Sequence, residues 1–125
     1  MTTVLNFYVG DAAYGMPIEY VLEVIPAIAA EAVDIEVLGF VGTFLFRGIH
    51  VPLFDFCLAK TGVPAKQVLS TRIIVVEWNS RIVGLLAERV IELSDISGDN
   101  SSACMMVLPS DIIPEPILDR GLHEA

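Results

Sequence analysis

A chain of 125 residues is long enough for one domain whose core needs neither disulfides nor metal to hold it. Its 16 acids against 7 bases give a formal net charge of −9, which repels phosphate backbones, argues against nucleic acid as a partner, and keeps a chain that is 54% hydrophobic in solution. Mean hydropathy is +0.68, yet the longest run free of Asp, Glu, Lys and Arg is the 11 residues Asn100–Ser110, broken by three Ser and a Pro, so no membrane insertion through a helix of roughly 20 residues is expected.

In chain order, strand signals dominate and arrive in short runs broken by turn residues. The amino terminus, MTTVLNFYVGD, has neither a basic start nor a long apolar run before a cleavage site, so export is not expected and a cytoplasmic location is. Val4–Val9 and Ala13–Ile18 flank Gly10-Asp11, which reads as a hairpin. Glu19–Ile35 is richer in Ala and Glu. Its Val21, Val24, Ile25 and Ile28 fall at helical spacing with Pro26 interrupting, so a short helical or irregular connection is expected.

Leu38–Phe56 is nearly all apolar apart from Arg47, His50 and Asp55, and reads as strand, tight turn, strand. Gly48 suits a turn position of positive φ, which puts Arg47 at an exposed hairpin tip. Pro52 cannot donate to a ladder, so the second strand is expected at an edge or bulged. A polar connector, TGVPAKQVLS, follows Lys60. Then Ile73–Trp78 and Arg81–Leu86 flank Asn79-Ser80, a hairpin whose Asn tolerates the left-handed conformation. Ile73-Ile74-Val75-Val76 is apolar on both faces, which predicts a central strand. From Ser94 onward, turn and loop are expected.

Chemistry-bearing motifs are sparse. Cys57 and Cys104 have no CxxC neighbour and no His at ligand spacing, so both read as buried thiols, with no metal site. His50 alternates with apolar neighbours in a strand, and His123 is the third-last residue, so neither reads as catalytic. No phosphate-cradling glycine motif is present. Asp11, Asp55, Asp95 and Asp99 sit near turns, where Asp bonds locally, and Trp78 reads as core. No cofactor and no enzymatic activity are expected. One alternative is a small-ligand-binding barrel with an apolar cavity lined by residues such as Phe44, Phe46 and Leu85.

Five elements stand in order over about the first 97 residues: Tyr14-Gly15; Glu23-Val24; Gly42 with Arg47-Gly48; Val51-Pro52 with Asp55-Phe56; and Val83-Gly84 with Val90-Ile91. In this series the chain resembles the CheW-like family of chemotaxis coupling proteins. The resemblance implies an all-β fold with short helices, two intertwined five-stranded SH3-like β-barrels, in a single domain over 1–125. It also implies a non-catalytic adaptor that binds the cytoplasmic tip of a chemoreceptor and the regulatory domain of a CheA-type histidine kinase. Receptor contact would fall on Arg47 and Glu23, with Val21 and Gly42 as further members. Leu45 stands where the family commonly has Asn, and family members commonly run further, to a strand that completes the first barrel. That first barrel is therefore expected to lack its closing strand and to expose an edge that another chain covers, for instance as a homodimer.

Overall fold

A computed structural model describes residues 2–28, 30–32, 37–66, 68–96, 105–118 and 122–123. β1 (Thr2–Val9) and β2 (Ala12–Pro17) form the first hairpin, turning through Gly10 at φ 60°. A 3-10 turn (Ile18–Tyr20) leads into β3 (Val21–Pro26), and β4 (Phe40–Phe46) and β5 (Ile49–Asp55) follow. After helix α1 (Phe56–Thr61) come β6 (Arg72–Trp78), β7 (Arg81–Ala87) and β8 (Arg89–Ile96). The two-residue strand β9 (Met105–Met106), helices α2 (Pro109–Ile112) and α3 (Glu115–Leu118), and β10 (Leu122–His123) complete the described elements. No helix among them is long and apolar enough to cross a membrane.

Among the described residues the strands make two sheets, one of four strands ordered β8-β1-β2-β9 and one of six ordered β3-β6-β7-β5-β4, with β10 also on β7. The mainly-β class with short helices is as expected. The division is four and six rather than five and five, and neither strand order returns on itself to close a ring. The outer edge of β2 is met within the chain over a short stretch: β9 pairs parallel to Tyr14 and Gly15, and Val107 N–H donates to Gly15 C=O.

The β6–β7 hairpin is the centre of the larger sheet, as the sequence predicts. Ile73, Ile74, Val75 and Val76 are fully buried, each contributing about 1.5–3 kcal/mol by leaving water. Asn79 and Ser80 both take positive φ, the geometry that matches a two-residue turn to strand twist. Gly84 of β7 has a packing reason: a Cβ there would stand 2.3 Å from the Phe44 ring. Phe44 is itself buried, so its ring occupies the space beside β7.

Three elements differ from expectation. Residues Val21–Pro26 form a strand, not a helix, because pairing with β6 from Val21↔Val76 to Pro26↔Arg72 covers the second edge of the central hairpin. β5 is interior, between β4 and β7, despite Pro52. Thr43 spends its N–H and C=O on Glu31, away from β5, so Thr43–Pro52 is a pair that exchanges no ladder bond. The missing N–H then points toward β7, whose pairing with β5 starts only at Leu53. Third, the chain after Ser94 is not all loop: β8 runs to Ile96, and Val107, Ile112, Ile113, Ile117 and Leu118 are buried in the common core.

α1 exists because Asp55 caps it. The buried Asp55 carboxylate accepts from Leu58 N–H at 3.1 Å and from Ala65 N–H at 2.9 Å, fixing both the start of the helix and the chain after it. α1 also ties the sheets together: Lys60 Nζ donates to the Tyr14 hydroxyl at 2.7 Å, and Tyr14 stacks on Phe7 and meets Phe56 edge-on.

Two stability measurements check this packing. Gly84→Ala should cost about 1–3 kcal/mol in urea unfolding, since neither the Phe44 ring nor β7 has room to yield. Asp55→Ala should cost about 2–3 kcal/mol, a cap together with a charged hydrogen bond into the following loop.

Candidate protein-docking site

The strands at the two ends of the larger sheet's order, β3 and β4, share no ladder. The sheet curls so that they face each other, and two contacts cross the seam. One is a backbone bridge from the segment that follows β3: Glu31 N–H donates to Thr43 C=O at 2.7 Å, and Thr43 N–H to Glu31 C=O at 2.9 Å. The other is an ion pair, Arg47 Nη2 to Glu23 Oε1 at 3.3 Å, with side chains 59% and 46% exposed.

Arg47 reaches β3 because of its turn. Arg47 (φ 51°) and Gly48 (φ 79°) both take the left-handed conformation, natural for Gly and uncommon for Arg. The guanidinium carbon lies 4.7 Å over the Phe46 ring centroid, so the cation rests on a buried aromatic while its polar edge meets Glu23. Glu23 is aimed by a register shift between Val21 and Glu23 in the pairing with β6, a bulge that turns the side chain.

The four residues expected to make contact are thus not equivalent. Arg47 and Glu23 are brought together at the surface. Val21 is half-buried on β6, two residues from Glu23. Gly42 is buried at φ 139°, and a Cβ on it would stand 2.2 Å from the Glu31 carbonyl oxygen, so its place in the structure is to let residues 31–32 lie against β4. Sequence reasoning missed the apolar flank of the pair: Leu45, 56% exposed, lies across from His50, with Ile28 and Ile49 also exposed. Alternation along Thr43–Arg47 carries that signal, since Leu45 shares the outward parity of Arg47. Ile28, Glu31, Thr43, Phe44, Leu45 and His50 line a cleft of about 230 Å³ here.

The residues proposed for an apolar ligand cavity are packed instead: Phe44, Phe46 and Leu85 are buried core, and the Phe44 ring fills the space beside Gly84. Trp78 is half-buried, against Tyr20 at 5.3 Å between ring centroids. Cys57 is buried as expected and burial pushes its thiol up, which disfavours the reactive thiolate; Cys104 lies outside the described residues.

Residues 3–104 match the model of the CheW-like domain. The chain belongs to the CheW-like family. It is 35% identical over 89 residues to the chemotaxis protein CheW of Helicobacter pylori, a match that covers 70% of this chain and 53% of the relative, so the chain spans about half the length of that curated protein. The CheW-like fold is also that of the scaffolding protein TtCheW of Thermoanaerobacter tengcongensis, with a TM-score of 0.73 at 19% identity, covering 86% of this chain and 82% of that one.

An ion pair this exposed contributes little to folding of the CheW-like domain. Arg47→Ala should therefore change the free energy of unfolding by less than about 1 kcal/mol, measured by chemical denaturation.

Proposed function

We propose that this chain is a non-catalytic, cytoplasmic adaptor of chemotaxis-like signalling, joining a chemoreceptor tip to the regulatory domain of a CheA-type histidine kinase. In this reading the Arg47–Glu23 seam is the receptor side. The observation that carries it is the exposed ion pair held over Phe46 and flanked by Leu45, Ile49 and Ile28. Apolar burial supplies affinity at such a surface, while the fixed charges set orientation and reject wrong partners. Val21 sits beside Glu23 on the same strand and extends the surface along β3. Gly42 serves it indirectly, by seating residues 31–32. Family membership and the CheW name of the Helicobacter relative support the same reading.

Two groups that acid–base or nucleophilic chemistry could use serve the fold instead. Asp55 accepts two backbone N–H groups, and Cys57 is buried, which pushes its thiol up.

Binding of the purified chain to a receptor-tip fragment and to the kinase regulatory domain tests the proposal. Arg47→Glu should weaken receptor binding at least tenfold, about 1.4 kcal/mol, with folding intact by circular dichroism. The swap of Arg47→Glu with Glu23→Arg should restore stability more than affinity, because the partner meets reversed charges. Wild-type protein that binds neither fragment would sink the adaptor reading.

A further inference from the structure

The interior around Phe44 is packed, but a cavity of about 280 Å³ opens at the margin of the domain, where the β6–β7 turn meets α2 and α3. Trp78 and Arg81 are direct partners across that turn, so their side chains stand next to each other on one face of the hairpin. Asn79, at φ 51°, follows Trp78 and also lines the cavity. From the other side come Ser110 of α2 and Glu115 of α3. Ile113 and Leu118, both buried in the core, supply the apolar part of the lining.

Both sides of the cavity are held in place by the fold. Tyr20 packs against the Trp78 ring at 5.3 Å between centroids. Asp111 accepts from Leu108 N–H at the start of α2, and Leu118 N–H donates to Pro114 C=O at 3.1 Å. A ligand thus enters a preformed site and is spared the cost of ordering the chain. A volume of about 280 Å³ lies just below the roughly 300–1,000 Å³ of sites for drug-sized molecules, which limits the ligand to a small one.

The lining sets its chemistry. A guanidinium and a carboxylate border the same space, with an amide and a hydroxyl that can hydrogen-bond either charge, beside an indole and two aliphatic side chains. A simple anion would be drawn to Arg81 but repelled by Glu115 and by the net charge of −9. A simple cation would be repelled by Arg81. A small zwitterion with an apolar body is matched on every side.

We propose that this cavity binds a free α-amino acid with an apolar side chain, its carboxylate on Arg81, its ammonium on Glu115 and its side chain against Trp78, Ile113 and Leu118. The lining shares no residue with the Arg47–Glu23 pair, so the site stands or falls separately from the adaptor reading.

Trp78 is the only Trp of the chain, so its fluorescence reports on this cavity directly. L-phenylalanine and L-leucine are titrated into the full chain, followed by that fluorescence and by calorimetry. At least one should saturate with a Kd of roughly 1 mM or below, as ten or so well-placed non-hydrogen atoms allow. The analogue without the ammonium (3-phenylpropanoate or 4-methylpentanoate) and the analogue without the carboxylate (phenethylamine or isopentylamine) should each bind at least tenfold more weakly. Glu115→Gln should weaken the amino acid at least tenfold without weakening the ammonium-free analogue, and Ser110→Tyr should abolish binding by filling the cavity. Both substituted residues are exposed, and circular dichroism confirms folding. No saturation of the wild-type chain by either amino acid overturns the proposal. So does an analogue that equals its parent amino acid, or binding that survives unchanged in Ser110→Tyr, which would place the ligand elsewhere.

Discussion

The larger sheet has two outermost strands that never exchange ladder bonds, and the geometry of the docking surface follows from how they meet. β3 and β4 sit at opposite ends of the strand order, so only curvature around the buried β6–β7 hairpin brings them face to face. A backbone bridge at Glu31–Thr43 fastens one part of the seam and the Arg47–Glu23 pair spans another. The bridge demands Gly42, because any Cβ there collides with the Glu31 carbonyl. The curvature demands a core that fills the inside of the bend, which Phe44 does against Gly84.

Magnitudes separate what holds the seam from what the seam presents. Each fully buried side chain of β6 is worth about 1.5–3 kcal/mol, and several lie side by side. An ion pair with half of each side chain in water is worth about 0–1 kcal/mol. Arg47 moreover accepts a left-handed backbone, which for a residue with a Cβ costs about 1–2 kcal/mol. Stability therefore gives little reason for an arginine at that position, where Gly or Asn would make the turn more cheaply. A side chain kept at a local cost, on a rigid tip, over an aromatic ring, is consistent with the receptor contact proposed for Arg47.

The hairpins were legible in the sequence because their signals are local. Gly10-Asp11, Arg47-Gly48 and Asn79-Ser80 each lie between apolar runs, and each turn contains a residue at positive φ. The family resemblance put Glu23 and Arg47 in one expected contact surface, but their ion pair was not legible, since 24 residues separate them and no periodicity links the two. β3 was misread because Val21, Val24, Ile25 and Ile28 fit helical spacing as well as strand. What decides is tertiary, namely the open edge of β6 that these residues cover. α1 escaped notice for a related reason: Phe56–Thr61 has no amphipathic length of its own, and its start depends on an Asp55 carboxylate also bound to Ala65.

The carboxyl-terminal third shows the same dependence on context in its strongest form. Residues 105–118 contain three of the chain's Pro residues and elements of only two to four residues, too short to be stable alone. They are ordered by where they lie. β9 extends the smaller sheet at Tyr14–Gly15; Leu108 N–H donates to Asp111 Oδ2 at 2.7 Å to start α2; and Ile113 and Ile117 are almost wholly buried in the core shared with β6 and β7. One segment thus grips both sheets, as Lys60 and Tyr14 do elsewhere. Such clamps fix the relation between the two sheets, and with it the direction in which the Arg47 tip faces.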